Sequence, residues 1–299
     1  MKKSVLKVVF VFLMLFAVVS FSVDSFALPG IYSVRNEREL KGAIKKIFSY
    51  DYVRLENDIE IKGNLCIDKS MTLDLGGHTL YLADSNASIK IGKKEFSHME
   101  PHEVVIPGYY RTYDDGDITY RVWHPDTVKV EYRDVYKYCD GIEVSITNGN
   151  IRHIDASDGA DGVNDTWSDC NGKDGKTPKE VIKVISGTLR LYDVSGYGGY
   201  GGKGGNGKTR ILLHVPFGGG NGGNGGKGGN GGDVINLTRN ECKVFLYGKT
   251  LLIPGKAGKG GERGCKNENY WLYSGFEGSN GKDGKDGVRI RKVGKVDLP

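Results

Sequence analysis

The sequence predicts a mainly β chain built as a parallel β-helix, and three observations lead there. Short alternating strands fill residues 51–82, with no helix long enough to interleave with them. A strand–glycine–strand unit recurs downstream. Glycine is also concentrated late: of 46 glycines, nine fall in residues 1–141 and 37 in residues 142–299. With only 8 prolines the late half is no ordinary collagen, and 38% hydrophobic with 26% charged residues fits neither a membrane bundle nor a charged disordered tail.

Residues 1–27 read as a secretory signal peptide. Lys2, Lys3 and Lys7 precede an apolar run from Val8 to Val19, and Ser25-Phe26-Ala27 sets up cleavage after Ala27. The 16 residues between Lys7 and Asp24 fall short of the ~20 that span a bilayer. The expectation is an exported chain, extracellular, at the cell surface or periplasmic, with no stable membrane span after cleavage. Removing Lys2, Lys3, Lys7 and Asp24 leaves 39 basic and 36 acidic residues. The lysines are scattered rather than gathered into a patch, so no nucleic-acid partner is expected. Five cysteines (Cys66, Cys139, Cys170, Cys242, Cys265) allow two disulfides and one thiol in an oxidising compartment, and they contain no CxxC zinc pair.

Residues 28–92 hold the first elements. Asn36 followed three residues later by Glu39 is a helix-start signature, and Leu40, Ile44, Ile47 and Phe48 form one apolar stripe behind it. Residues 51–82 then alternate, turning at Asn57-Asp58 and Gly63-Asn64. Val53, Leu55, Ile59, Ile61, Leu65, Ile67, Leu73, Leu75 and Leu80 take the inward positions. The lack of interleaved helices disfavours a βαβ sheet and leaves a solenoid, barrel or sandwich. Repetition selects the solenoid. Residues 145–162, 183–202 and 244–261 each carry a strand, one glycine, a second strand and a glycine-rich excursion. The pivots are Gly149, Gly187 and Gly248, with Gly77 in an earlier relative. Stacked coils bury their inward side chains against each other while loops grow outward.

The pieces "NERELKGAIKK", "VRLENDIEI" and "CIDKSMTLDLGGHTLYL" within residues 31–81 resemble the entry module of the pectate-lyase-like superfamily. The resemblance implies a single-stranded right-handed parallel β-helix whose N-terminal α-helix caps the open end. It specifies fold more than activity, because lyases, hydrolases, adhesins and structural proteins share the architecture. Enzymes of this kind on acidic polysaccharides use carboxylates that hold calcium beside an Arg or Lys base, or paired aspartates. Asp114-Asp115 is the one adjacent aspartate pair, and it lies in the turn-like "YDDGD".

Residues 93–140 interrupt the coils with nine aromatics. "DITYRVW" and "VKVEYRDVY" read as strands joined at His124-Pro125-Asp126, a hairpin on the solenoid's side. Tyr109, Tyr110, Tyr113, Tyr120, Trp123 and Tyr132 are the candidate ligand-binding residues, since exposed Tyr and Trp stack on sugar rings and hydrogen-bond through their polar tips. The alternative is that the rings pack on the solenoid's flank.

Residues 141–299 return to coils with glycine at every third place: Gly196, Gly199, Gly202, Gly205 in one run, and Gly255, Gly258, Gly261, Gly264 in another. A three-residue period matches a left-handed polyproline-II-type helix, here polyglycine II-like, with two bare faces and a third carrying Asn, Lys or Asp. "KTRILLHVPF" (208–217) is an apolar reversal between two such runs, as an antiparallel pair needs. Flexible linkers are the alternative.

Two motif matches are by-products of this composition. "GKGGNGKT" from Gly202 to Thr209 fits a phosphate loop but lacks the following helix, so no nucleotide is expected. "GGNGGDVIN" is a single calcium-type nonapeptide, which makes Asp233 a weak metal candidate only. No cofactor is expected. In "HMEPHE", Pro101 rules out the helical geometry that would bring His98 and His102 together. His78 reads as a turn residue, and His153 and His214 have no evident partner. The function expected is non-catalytic binding or adhesion to a glycan or other surface. The alternatives are a polysaccharide lyase or hydrolase, and a self-assembling envelope protein.

Overall fold

The structure, a computed structural model, describes residues 30–48, 50–114, 119–163, 170–209, 221–266 and 276–292. The expected signal peptide, Asp115, His214 and most of the 208–217 reversal lie outside these residues.

β1 (Ile31–Val34) leads into α1 (Glu37–Lys46). Asn36 caps the helix as expected: its side chain accepts the Glu39 N–H at 3.0 Å, and the Glu39 carboxylate accepts the Arg35 N–H at 2.8 Å. Leu40, Ala43, Ile44 and Ile47 are buried in the core, whereas Phe48 is 75% exposed. Ile47 has already left helical geometry (ψ 147°), so the last residue of the predicted stripe turns outward.

The chain then makes five passes round one apolar core. The first two are β2 (Asp51–Leu55), β3 (Ile59–Ile61), β4 (Asn64–Ile67), then β5 (Met71–Asp74), β6 (Thr79–Leu82), β7 (Ser88–Ile91). An arm follows: β8 (Lys94–Ile106), β9 (Tyr109–Asp114), β10 (Thr119–His124) and β11 (Thr127–Tyr138). The last three passes are β12 (Glu143–His153) with β13 (Ile182–Val184), β14 (Thr188–Tyr197) with β15 (Ile235–Leu237), and β16 (Lys243–Tyr247), β17 (Leu251–Ile253) with β18 (Ile290–Lys292). Core strands pair in parallel with the pass before and after. A nine-stranded sheet follows β1-β2-β5-β12-β14-β16 with β3, β6 and β17 alongside, and a five-stranded sheet β4-β7-β13-β15-β18 accompanies it. The architecture is mainly β, with parallel sheet curled round the core.

Register makes the core a set of stacked rows. Val53, Leu73, Ile146 and Leu191 form one row, and Leu65, Ile89, Ile182 and Ile235 another, each at most 1% exposed. Each such side chain contributes roughly 1.5–3 kcal/mol of burial. All nine inward residues predicted for 51–82 are buried.

The pivot positions need correction. Register aligns β12 with β14 and β16 so that Thr147, Tyr192 and Tyr247 share a row. The residues just after it, Asn148, Asp193 and Gly248, have φ of 56°, 54° and 62°. The recurring left-handed corner therefore sits at Asn148, Asp193 and Gly248, with Gly76 (φ 59°) earlier. Gly187 belongs to the preceding corner, where the Thr188 N–H donates to Ile142 O. Asn and Asp tolerate this conformation, so a glycine-based alignment misses two of its positions.

The glycine excursions all leave between the second strand of the large sheet and the small sheet, in passes three, four and five. Each goes out and returns: 155–163 with 170–178, 196–209 with 221–233, and 254–266 with 276–288. Outgoing runs stack in parallel, as shown by Gly159 to Lys203 O and Gly162 to Asn206 O, then Gly201 to Lys256 O and Gly204 to Lys259 O. Outgoing and returning runs are antiparallel: Gly226, Gly229 and Gly232 donate to the carbonyls of Gly205, Gly202 and Gly199. This is the pairing anticipated for the runs flanking the apolar reversal. Side chains of the third face also join in. Asp158 and Asp161 accept the N–H groups of Lys203 and Asn206, and Asn171 and Asp174 those of Asn224 and Lys227, all at 2.7 Å.

Glycine content follows the number of packed faces. The middle layer has two glycines per triplet, and an added Cβ at Gly201 or Gly202 would overlap the carbonyl oxygen of Gly229 or Ser157. The first layer has one per triplet, and Ala160, Lys173 and Lys176 there are exposed. In the last layer Asn280, Asp283 and Asp286 cap the N–H groups of Arg263, Gly260 and Ala257. Space, not positive φ, demands these glycines, since none of them is among the positive-φ positions.

The possible two-disulfide framework is not formed: all five cysteines are free thiols. Cys242 is buried, donates to Val184 O at 3.5 Å, and has its thiol pKa pushed up by desolvation.

Candidate binding site on the projecting arm

The arm differs from the simple hairpin expected. "DITYRVW" does not pair with "VKVEYRDVY". β10 pairs antiparallel with β9, and β11 with β8, which gives a distal tip ribbon and a longer shaft. The charges and Pro101 in 94–106 obscure the alternation, so the sequence does not mark this segment as a strand. Pro101 is accommodated because β8 is an edge strand. Among the described residues these four strands pair only with one another.

The tip gathers five of the six predicted residues. Tyr109 pairs with His124, Tyr110 with Trp123 and Tyr113 with Tyr120 in register. Tyr109 stacks on His124 with centroids 5.0 Å apart, and Tyr110 lies 4.7 Å from Trp123 at 52°. Gly108 makes room for the indole, because a Cβ there would overlap the Trp123 ring. The Gly108 N–H donates to Asp126 at 2.6 Å and fixes the junction with the shaft. Tyr109, Tyr110 and Trp123 remain 54%, 60% and 49% exposed. Tyr132 is separate, on the shaft opposite Pro101.

Two residues of the tip were not anticipated. Arg111 lies 5.2 Å from the Tyr113 ring and Arg121 5.6 Å from the Tyr110 ring. Both are exposed, so each tyrosine has a guanidinium donor beside it. The matching runs "YYRTYD" and "TYRVWH" carried that signal, an arginine near each aromatic pair.

Elsewhere, the remaining candidates take structural roles. The N–H groups of Gly202, Gly204, Gly205 and Gly207 in "GKGGNGKT" donate to lattice carbonyls, which leaves none of them to cradle a phosphate. Asp233 accepts the Val288 N–H at 2.9 Å and forms an ion pair with Arg291. No group of three or more His, Cys, Asp or Glu able to hold a metal occurs among the described residues. His78 sits 3.5 Å from Asp58, and buried His153 lies between Ile154 O (2.8 Å) and Ala87 O (3.0 Å).

One carboxylate is strongly engaged. Asp74 is 4% exposed and accepts bonds from the Tyr52 hydroxyl, Gly76 N–H (3.0 Å), Asn148 Nδ2 (3.1 Å) and Thr147 Oγ1 (3.2 Å). Burial pushes its pKa up, but these donated bonds outweigh burial and hold it below the ordinary aspartate value. Asp74 braces the left-handed corner at Asn148 rather than presenting a reactive oxygen. Comparison with family models, curated proteins and solved structures gives no match for this chain.

Proposed function

We propose that this is an exported, non-catalytic binding protein that recognises a glycan through the tip of its arm. One observation carries the reading: a ribbon paired with no other described strand presents Tyr109 and Tyr110 more than half open and Trp123 about half open to solvent, with Arg111 and Arg121 beside them. Rings set this way stack on sugars, and the guanidinium groups donate to hydroxyl or acidic substituents. In this reading the coils are a right-handed parallel β-helix of the pectate-lyase-like kind, the lattice is a polyglycine II bundle, and the cleaved chain acts outside the cytoplasm.

Binding of the secreted chain to arrayed neutral and acidic glycans tests the proposal. Tyr110→Ala and Trp123→Ala are each expected to weaken binding by ~10-fold or more, since truncating an aromatic anchor at a binding surface commonly costs about 2 kcal/mol or more. Turnover of uronic-acid polymers, with or without calcium, would replace this reading by a lyase or hydrolase.

A further inference from the structure

The shaft of the arm is amphipathic. Its ladder pairs Val105 with Val128, Glu103 with Val130, Pro101 with Tyr132 and Met99 with Asp134 on one face. A register shift between Val135 and Tyr136 then brings Phe96 and Tyr136 onto that same face, where their rings meet edge-on at 6.3 Å. Without the bulge Tyr136 would keep this face, but Phe96 would fall on the opposite one. Phe96, Met99, Val105, Val128, Val130 and Tyr132 are each 50–68% exposed, and no described residue of the chain covers them. The reverse face is more polar: it sets Glu100 opposite Arg133, His102 opposite Glu131 and Glu95 opposite Lys137, with Val104, Ile106 and Val135 among them.

A lone two-stranded ribbon is marginal in water, and this one buries its apolar face against nothing of its own. β8 has 13 residues, which at ~3.4 Å each and a width of about 10 Å for two strands gives a face of roughly 440 Å². That is the size of the largest patch on a typical monomer, about 300–600 Å², which is often functional. We infer that the apolar face of the shaft pairs with the same face of a second copy, forming a two-fold dimer. A two-fold axis lays one stripe on itself, so a single surface satisfies both chains. The reverse face, which carries Glu95, Glu100, Glu131, Arg133 and Lys137, does not repeat the apolar stripe, so the assembly closes at two. Roughly 900 Å² of combined footprint falls below the ~1,200 Å² of stable specific interfaces and marks a weak, transient association, so the dimer is expected to dissociate in the micromolar range.

Sedimentation of the full secreted chain from ~1 to ~100 µM tests this, because that range brackets a micromolar Kd. The expected result is a mass rising from one chain to two. The variant Val105→Thr/Val128→Thr/Val130→Thr keeps the branched side chains that favour strands and is expected to raise the Kd at least tenfold. In the wild type, hydroxyl-radical labelling of Met99 and Tyr132 should fall as the dimer forms while labelling of Tyr110 and Trp123 stays constant. That readout needs no variant and separates the shaft from the glycan-binding tip. A one-chain mass throughout, dimerisation unaltered by the triple variant, or labelling of Met99 and Tyr132 that does not change with concentration would overturn the inference.

Discussion

Gly202 illustrates how a single atom sets the lattice. Its N–H donates to Lys176 O and its carbonyl accepts from Gly229, while a Cβ would overlap the Ser157 carbonyl. Gly202→Ala is therefore expected to cost about 1–3 kcal/mol, the usual penalty for overpacking, and to speed amide exchange across residues 199–207 more than in the core strands. Asp74 makes the complementary case, where a polar group holds a corner. Its pKa is lowered in the folded chain, so it stabilises the fold above the unfolded aspartate pKa of ~3.9, and that contribution is lost as pH falls through the folded-state value. Urea titrations at pH 7 and pH 3 should show a smaller acid-induced loss for Asp74→Asn than for wild type. An equal loss would mean that the carboxylate is not linked to the corner. The corner shows why a residue-level reading of glycine stopped short: Asn148 and Asp193 adopt the same positive φ as Gly248.

Among the elements, α1 and strands β2 to β6 were the most legible, because a cap, a stripe and strict alternation all agree there. The arm was less legible. Charge and Pro101 hide β8, and strand alternation does not encode that β10 pairs with β9. The arm's independence of the coils makes a clean prediction. The Cys139 N–H donates to Lys93 O at 3.2 Å, so the chain enters and leaves the arm at adjacent points. Replacing residues 98–135 by a short glycine-containing turn should leave the thermal midpoint within a few degrees of wild type while abolishing glycan binding. A collapse of the midpoint would show that the arm supports the coils after all.

At the scale of the molecule, three excursions leave one corner of successive passes, so their stacking is inherited from the register of the strands that feed them. Leu191→Ala, in the middle of a core row, is expected to cost about 2–5 kcal/mol and to speed exchange in the lattice as well as in the coils. Loss confined to the coils would mean that the lattice stands alone. The sequence by itself determined the periods: two for the strands, three for the glycine runs, and the helical stripe that begins the chain. It even recorded the layers, since one or two glycines per triplet mark one or two packed faces. Only the tertiary structure decided which run lies on which, which corner carries the left-handed residue, and that the tyrosines stand on an arm instead of lying on a flank. Periodicity is a local property of side-chain spacing, whereas register and pairing depend on chain segments some 45 to 56 residues apart in the hydrogen bonds that join them.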